Sequence, residues 1–91
     1  MTHAIVLIGA DRAALARLGG DLADLEGVAE AYSVTGEWDF VAILRLREHE
    51  ELARLVTSGI AALKGVQRTQ TMVAFEVYSR HDLEALFSVG Q

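Results

Sequence analysis

The feature that most constrains the fold is an internal repeat. The segment Leu22–Val28 (LADLEGV) returns 38 residues later as Ile60–Val66 (IAALKGV). In each copy a helical apolar pattern ends at a glycine, and a strand-like run begins immediately after it. A short apolar run also precedes each helical pattern, so each half has the order strand, helix, strand.

Two such halves predict the order βαββαβ, which is a ferredoxin-like α+β fold. In this fold both helices cover one face of a four-stranded antiparallel sheet. The predicted strands are Ala4–Ile8, Val28–Thr35, Trp38–Arg47 and Val66–Tyr78. The predicted helical faces consist of Leu15, Leu18, Leu22 and Leu25, and of Leu52, Leu55, Val56, Gly59, Ile60 and Leu63. With 91 residues the chain forms a single domain (1–91), with its core over 3–78 and a short C-terminal tail helix within 79–91.

The third predicted strand is apolar on both of its faces. Phe40, Ala42 and Leu44 alternate with Val41 and Ile43, which would point to the side without helices. A sheet with one face in water alternates between apolar and polar residues instead. We therefore expect a second subunit to cover the helix-free face, in a sheet-to-sheet dimer.

The charge and composition of the chain exclude several classes of function. Eight basic residues stand against 13 acidic ones and are scattered along the sequence, so direct nucleic-acid binding is not expected. No apolar run is long enough to cross a bilayer, and the absence of Cys fits a cytoplasmic protein. His3, His49 and His81 lie far apart in the sequence, so we expect no metal and no cofactor.

The turn Thr35–Asp39 (TGEWD) contains groups that could recognise an amino acid. Its main-chain N–H groups could bind a carboxylate, Asp39 could bind an ammonium group, and Trp38 could form an apolar wall or a cation–π face. The alternative is an ordinary hairpin turn in which the aspartate caps its own backbone. Similarly, Thr69 and Thr71 share one face of the last strand, but threonine is also a common strand residue.

Two segments of the chain resemble motifs of a known family. These are V-x-x-x-Y-x-V-T-G-x-W-D-F from Val28 to Phe40 and G-V-x-x-T-x-T from Gly65 to Thr71. Together they resemble the effector-binding (RAM) domain of the Lrp/AsnC, or feast/famine, transcription regulators. Met1 lies close to the first strand, so the chain resembles the stand-alone form that lacks a helix-turn-helix domain.

The resemblance implies a non-enzymatic domain that binds an amino-acid effector at subunit interfaces. It also implies dimers that assemble further into octamer-like rings, with a full-length Lrp/AsnC regulator as a further partner. The effector-binding residues that it implies are Tyr32, Val34, Thr35, Gly36, Trp38, Asp39, Thr69 and Thr71. Tyr32 could equally be a packing aromatic.

Two other functions remain open from the sequence. Small dimeric ferredoxin-like proteins include cofactor-free monooxygenases and isomerases, which need a His, Tyr, Trp or Asn in a cavity under the helices. Trp38, Tyr32 and His3 are the available side chains, but nothing in the sequence groups them. The third possibility is a purely structural oligomerisation module.

Overall fold

The predicted βαββαβ order is present in the computed structural model, which describes residues 1–80. The strands are β1 (Thr2–Ala10), β2 (Val28–Ser33), β3 (Phe40–Leu46) and β4 (Val66–Ala74). Helix α1 (Leu15–Ala23) follows a 3₁₀ turn at Arg12–Ala14, and helix α2 (Glu50–Arg54) continues into a π-helical turn at Leu55–Ile60. The four strands form one antiparallel sheet in the order β2-β3-β1-β4.

The internal repeat is visible in the main-chain hydrogen bonds. Leu25 N donates to Leu22 O and Val28 N to Leu25 O, while Leu63 N donates to Ile60 O and Val66 N to Leu63 O. The glycines that end the two helical segments, Gly27 and Gly65, have φ values of +99° and +100°. The two halves therefore leave their helices through the same pair of turns, at a backbone conformation that favours glycine.

The hydrophobic core lies between the helices and one face of the sheet. Its sheet side consists of Ala4, Val6 and Ile8 of β1 together with Phe40, Ala42, Leu44 and Leu46 of β3. Its helical side consists of Ala14, Leu18, Leu22, Leu52, Leu55 and Ile60.

Two details of the helices differ from the prediction. Leu15 is 41% exposed, because Ala14 of the preceding turn fills the buried position beside Gly65. The second helix widens into a π turn, in which Ala61 N donates to Val56 O. Within that turn the Thr57 hydroxyl donates to the Ala53 carbonyl, and such a bond competes with the main-chain ladder.

Strands β2, β3 and β4 are shorter than the sequence pattern predicted, whereas β1 extends two residues beyond the predicted Ala4–Ile8 at each end. β4 ends at Ala74 rather than Tyr78, because its partner β1 begins at Thr2 and the pairing stops at His3 and Ala74. β3 begins at Phe40 rather than Trp38, which leaves a six-residue loop over 34–39.

The predicted tail helix lies almost entirely outside residues 1–80, and His81 lies wholly outside them. Within those residues no helix has the length and apolar character needed to span a membrane.

Candidate functional site

The loop between β2 and β3 is fixed by main-chain hydrogen bonds at its base. Val34 N donates to Asp39 O at 3.0 Å, which closes the loop. Asp39 N donates to Ile8 O at 2.9 Å, which attaches the loop to β1. Gly36 at the tip has a φ of +110° with open space around it. The sequence-predicted residues Val34, Thr35, Gly36, Trp38 and Asp39 therefore lie together in one ordered loop.

The carboxylate of Asp39 has a structural contact of its own. Its Oδ2 accepts a hydrogen bond from the Ala10 main-chain N–H at 2.8 Å. Ala10 lies where the pairing of β1 with β4 shifts register after Gly9, so its N–H needs a partner outside the ladder. Asp39 is half-buried, and no contact of Oδ1 is seen within residues 1–80. A carboxylate has lone pairs beyond the one that Ala10 uses.

Arg68 of β4 also contacts this loop, and the sequence analysis did not single it out. Its guanidinium lies 4.2 Å from the centroid of the Trp38 ring, and its Nη2 donates to the Glu37 carbonyl at 2.9 Å. Its aliphatic part crosses Gly9, where an added Cβ would lie 2.7 Å from Arg68 Cγ. The only sequence signal was a glycine in the paired strand, because Arg68 occupies a variable position of the G-V-x-x-T-x-T motif.

The remaining predicted residues, Tyr32, Thr69 and Thr71, lie on strands rather than in the loop. Thr69 and Thr71 pair with Ile8 and Val6, so they lie on the helix-bearing face of β4. Tyr32 pairs with Val41, on the opposite face. Strands β2 and β4 form the two edges of the sheet, and three strand spacings correspond to roughly 14 Å. Tyr32 and the two threonines therefore do not share a site within one protomer.

The helix-free face of the sheet, here called the open face, is apolar at its centre. Its apolar residues are Ile5, Leu7, Val41, Ile43, Met72 and Ala74. At one edge the Tyr32 hydroxyl donates to Glu30 Oε2 at 2.5 Å, and Arg45 lies 3.8 Å from Glu30 Oε1. The hydrogen bond to Glu30 raises the pKa of Tyr32, because it stabilises the protonated phenol.

A surface cavity of about 750 Å³ lies at the other end of β3. Its lining includes Arg45, Arg47, Arg54, Glu26 and Glu51, and none of the predicted site residues. Among residues 1–80 no three His, Asp or Glu side chains are grouped as a metal site would require. Because none of residues 34–39 lines the cavity, the cavity is separate from the loop.

Comparison with known sequences places the chain in a family. The sequence profile of the Lrp/AsnC ligand binding domain matches residues 3–83, which is most of the chain. The chain belongs to the Lrp/AsnC ligand-binding domain family. This confirms the resemblance carried by the two motifs, and it agrees with the observed ferredoxin-like fold.

Three relatives of this Lrp/AsnC domain show how far the similarity extends. TTHA0845 from Thermus thermophilus is 49% identical with a TM-score of 0.81, over 88% of this chain and 100% of that one. An HTH-type transcriptional regulator of Pyrococcus abyssi is 36% identical over 60% of this chain and 37% of its own length. The transcriptional regulator NMB0573 of Neisseria meningitidis, in a complex with L-Met, shares the fold at 15% identity, with a TM-score of 0.77 over 87% of this chain and 53% of that one.

The length of the match differs among these relatives. The chain spans between 30% and 49% of the length of the curated regulators that it matches, whereas it covers all of the Thermus thermophilus chain. The similarity to the regulators therefore concerns a ligand-binding domain, and that membership supports a regulatory, effector-binding role.

Proposed function

We propose that this Lrp/AsnC domain binds a free amino acid at the 34–39 loop and has no enzymatic activity. The observation that carries the proposal is the carboxylate of Asp39, which is half-buried and held by the Ala10 N–H through one oxygen. A fixed carboxylate with a second oxygen available suits an ammonium group. Trp38 in the same loop offers an apolar wall for a side chain.

The proposed site is completed by another subunit. The loop has open space around Gly36, and the cavity of the protomer lies elsewhere. Tyr32 lies on the open face of one edge strand, and Thr69 and Thr71 lie on the helix-bearing face of the other edge strand. One protomer does not bring all three to a single site, so a neighbouring copy supplies the missing contacts.

The open face supports self-association of the domain. Met72 and Tyr32 are 41% and 47% exposed there, around a half-buried apolar centre. Apolar patches of this kind commonly mark protein interfaces. We propose a homodimer through the open faces, with dimers assembling into an octamer-like ring in which the 34–39 loops of neighbouring dimers meet.

The regulatory partner is proposed from the relatives. The Pyrococcus abyssi relative is an HTH-type transcriptional regulator, so a full-length regulator of the same family could co-assemble with this chain through shared surfaces. The net charge of −5 argues against direct binding of nucleic acid by the chain itself. The L-Met complex of the Neisseria meningitidis relative supports an α-amino acid as the class of effector.

The enzymatic alternative has less support. Trp38 lies at the loop, whereas His3 lies near the opposite end of β1 on the open face. Neither of them, nor Tyr32, lines the cavity at the end of β3. A cofactor-free monooxygenase or isomerase would need such groups to converge on one pocket.

Calorimetric titration with the twenty amino acids, combined with light scattering, tests the proposal. We expect one or a few amino acids to bind and to shift the mass distribution towards the larger assembly, because a shared site stabilises the assembled form. Binding without any change in the mass distribution would contradict the proposal that the site is shared between subunits. A complete lack of binding would contradict the proposed function.

A further inference from the structure

We infer that Arg68 binds the α-carboxylate of the amino acid and thereby makes the site selective for ligands that have a free carboxylate. The inference rests on the proposed function, since it concerns the same loop. Arg68 stands at a variable position of the second sequence motif, to which the resemblance gave no role.

Two opposite charges lie against the end of β1. Arg68 crosses β1 at Gly9, and Asp39 accepts the N–H of Ala10, the next residue of the same strand. Arg68 and Asp39 form no ion pair with each other in the described part of the chain. The two opposite charges are thus anchored beside successive residues of β1, where we propose that they bind the carboxylate and the ammonium group of one α-amino acid.

The guanidinium of Arg68 is held in place and still has free donors. Its Cζ lies over the Trp38 ring, and Nη2 donates to the Glu37 carbonyl. A guanidinium has five N–H donors in a rigid fork that suits a carboxylate in the plane of the group. The contacts with Trp38 and the Glu37 carbonyl position the guanidinium before a ligand arrives and leave N–H donors for a carboxylate.

The carboxylate of Glu37 faces Arg68 in the unbound domain. Glu37 Oε2 lies 3.7 Å from Arg68 Nη1, beyond hydrogen-bond distance, and the two side chains are 73% and 52% exposed. Exposed ion pairs of this kind contribute little to stability. An incoming α-carboxylate can therefore replace Glu37 at the guanidinium while the bond to the Glu37 carbonyl remains.

The test compares each amino acid with its α-carboxamide, which lacks the carboxylate charge. Trp38 is the only tryptophan of the chain, so its fluorescence reports directly on the ring that Arg68 covers. The probes are the twenty amino acids and, for the tightest binder, the corresponding α-carboxamide. We expect the wild-type protein to prefer the acid by a factor of roughly 10 to 100.

Three variants separate carboxylate recognition from loop positioning. In Arg68→Met, which keeps an unbranched stem over Gly9, the preference for the acid should fall to about one. Arg68→Lys keeps the charge without the planar fork, so its preference for the acid over the amide should lie between those of the wild-type protein and Arg68→Met. Asp39→Asn should weaken the binding of both the amino acid and its α-carboxamide and leave the ratio of the two affinities unchanged.

The outcomes distinguish this inference from the proposed function. If Arg68→Met weakens acid and amide equally, Arg68 only positions the loop and the inference is wrong, while amino-acid binding stands. If no amino acid changes the Trp38 emission or the heat signal of the wild-type protein, the proposed function and this inference both fail.

Discussion

Asp39 accepts the main-chain N–H of Ala10 at 2.8 Å, across 29 positions of sequence. This contact attaches the loop after β2 to the end of β1, at the point where the pairing of β1 with β4 changes register. The residue that the motif assigns to ligand binding thus also stabilises the fold. Its two roles can be separated, because amide and carboxylate side chains both provide an oxygen acceptor but differ in charge.

The structural role predicts different stabilities for two variants at this position. Asp39→Ala leaves the Ala10 N–H without its partner, so we expect the free energy of unfolding to fall by about 1–2 kcal/mol. Asp39→Asn keeps an oxygen near that N–H and should cost less than about 1 kcal/mol. Urea unfolding measures both. Equal stabilities for the two variants would show that the hydrogen bond contributes little.

Helix α1 offers a site for stabilisation. Gly20 is exposed, and a Cβ added there meets no atom within 4 Å, so Gly20→Ala should raise the free energy of unfolding by roughly 0.5–1 kcal/mol through helix propensity. Gly19→Ala is the matched control, because its Cβ would lie 3.3 Å from Phe40 Cε1 and part of the gain would be lost. Thermal unfolding of the two variants should rank Gly20→Ala above Gly19→Ala; the reverse order would contradict the packing described here.

The open face predicts the effect of a buried charge on assembly. Ile43 lies at its centre, on β3, so Ile43→Lys should place an ammonium group in the proposed dimer interface and give a monomer. Ala62→Lys introduces the same charge at an exposed position after the π turn and should leave the mass unchanged. Sedimentation analysis distinguishes the two. A dimeric Ile43→Lys protein would mean that subunits associate through another surface.

The Tyr32–Glu30 pair predicts a dependence on high pH. The hydrogen bond raises the pKa of Tyr32 in the folded state above its unfolded value of about 10. Its stabilising contribution is therefore present at neutral pH and is lost as the pH rises through the folded-state pKa. Tyrosinate absorbance should show a lower Tyr32 pKa after Glu30→Gln. The titration is done in a Tyr78→Phe background, because the bond to Glu76 also raises the pKa of Tyr78. An unchanged Tyr32 pKa would exclude the hydrogen bond as its cause.

The sequence predicted the fold because its strongest signals are local and repeated. The Gly-Val steps at Gly27 and Gly65 and the apolar faces of the helices each follow from the periodicity of the chain. Strand ends were less predictable: Phe75 and Val77 continue the apolar alternation of β4, but the partner strand β1 has already ended. The length of a strand depends on its neighbour as well as on its own residues.

The site was predictable only in part, for a similar reason. The motif indicated Gly36, Trp38 and Asp39, which are close in sequence and lie in one loop. Arg68 reaches that loop through the pairing of β4 with β1, which places it opposite Gly9. Contacts set by the register of strands distant in sequence leave little trace in local periodicity.

The most direct test of the account is the affinity of Asp39→Asn for the amino acid that binds the wild-type protein most tightly. Asparagine keeps the shape and an acceptor for Ala10 but removes the charge proposed to bind the ammonium group. Loss of a buried charge partner commonly costs about 2–5 kcal/mol, so calorimetry should show binding weakened by a factor on the order of 30 or more. Asp24→Asn, the same chemical change at an exposed position at the end of α1, should leave the affinity unaltered. Equal affinities for wild type and Asp39→Asn would contradict the assignment of this loop as the amino-acid site.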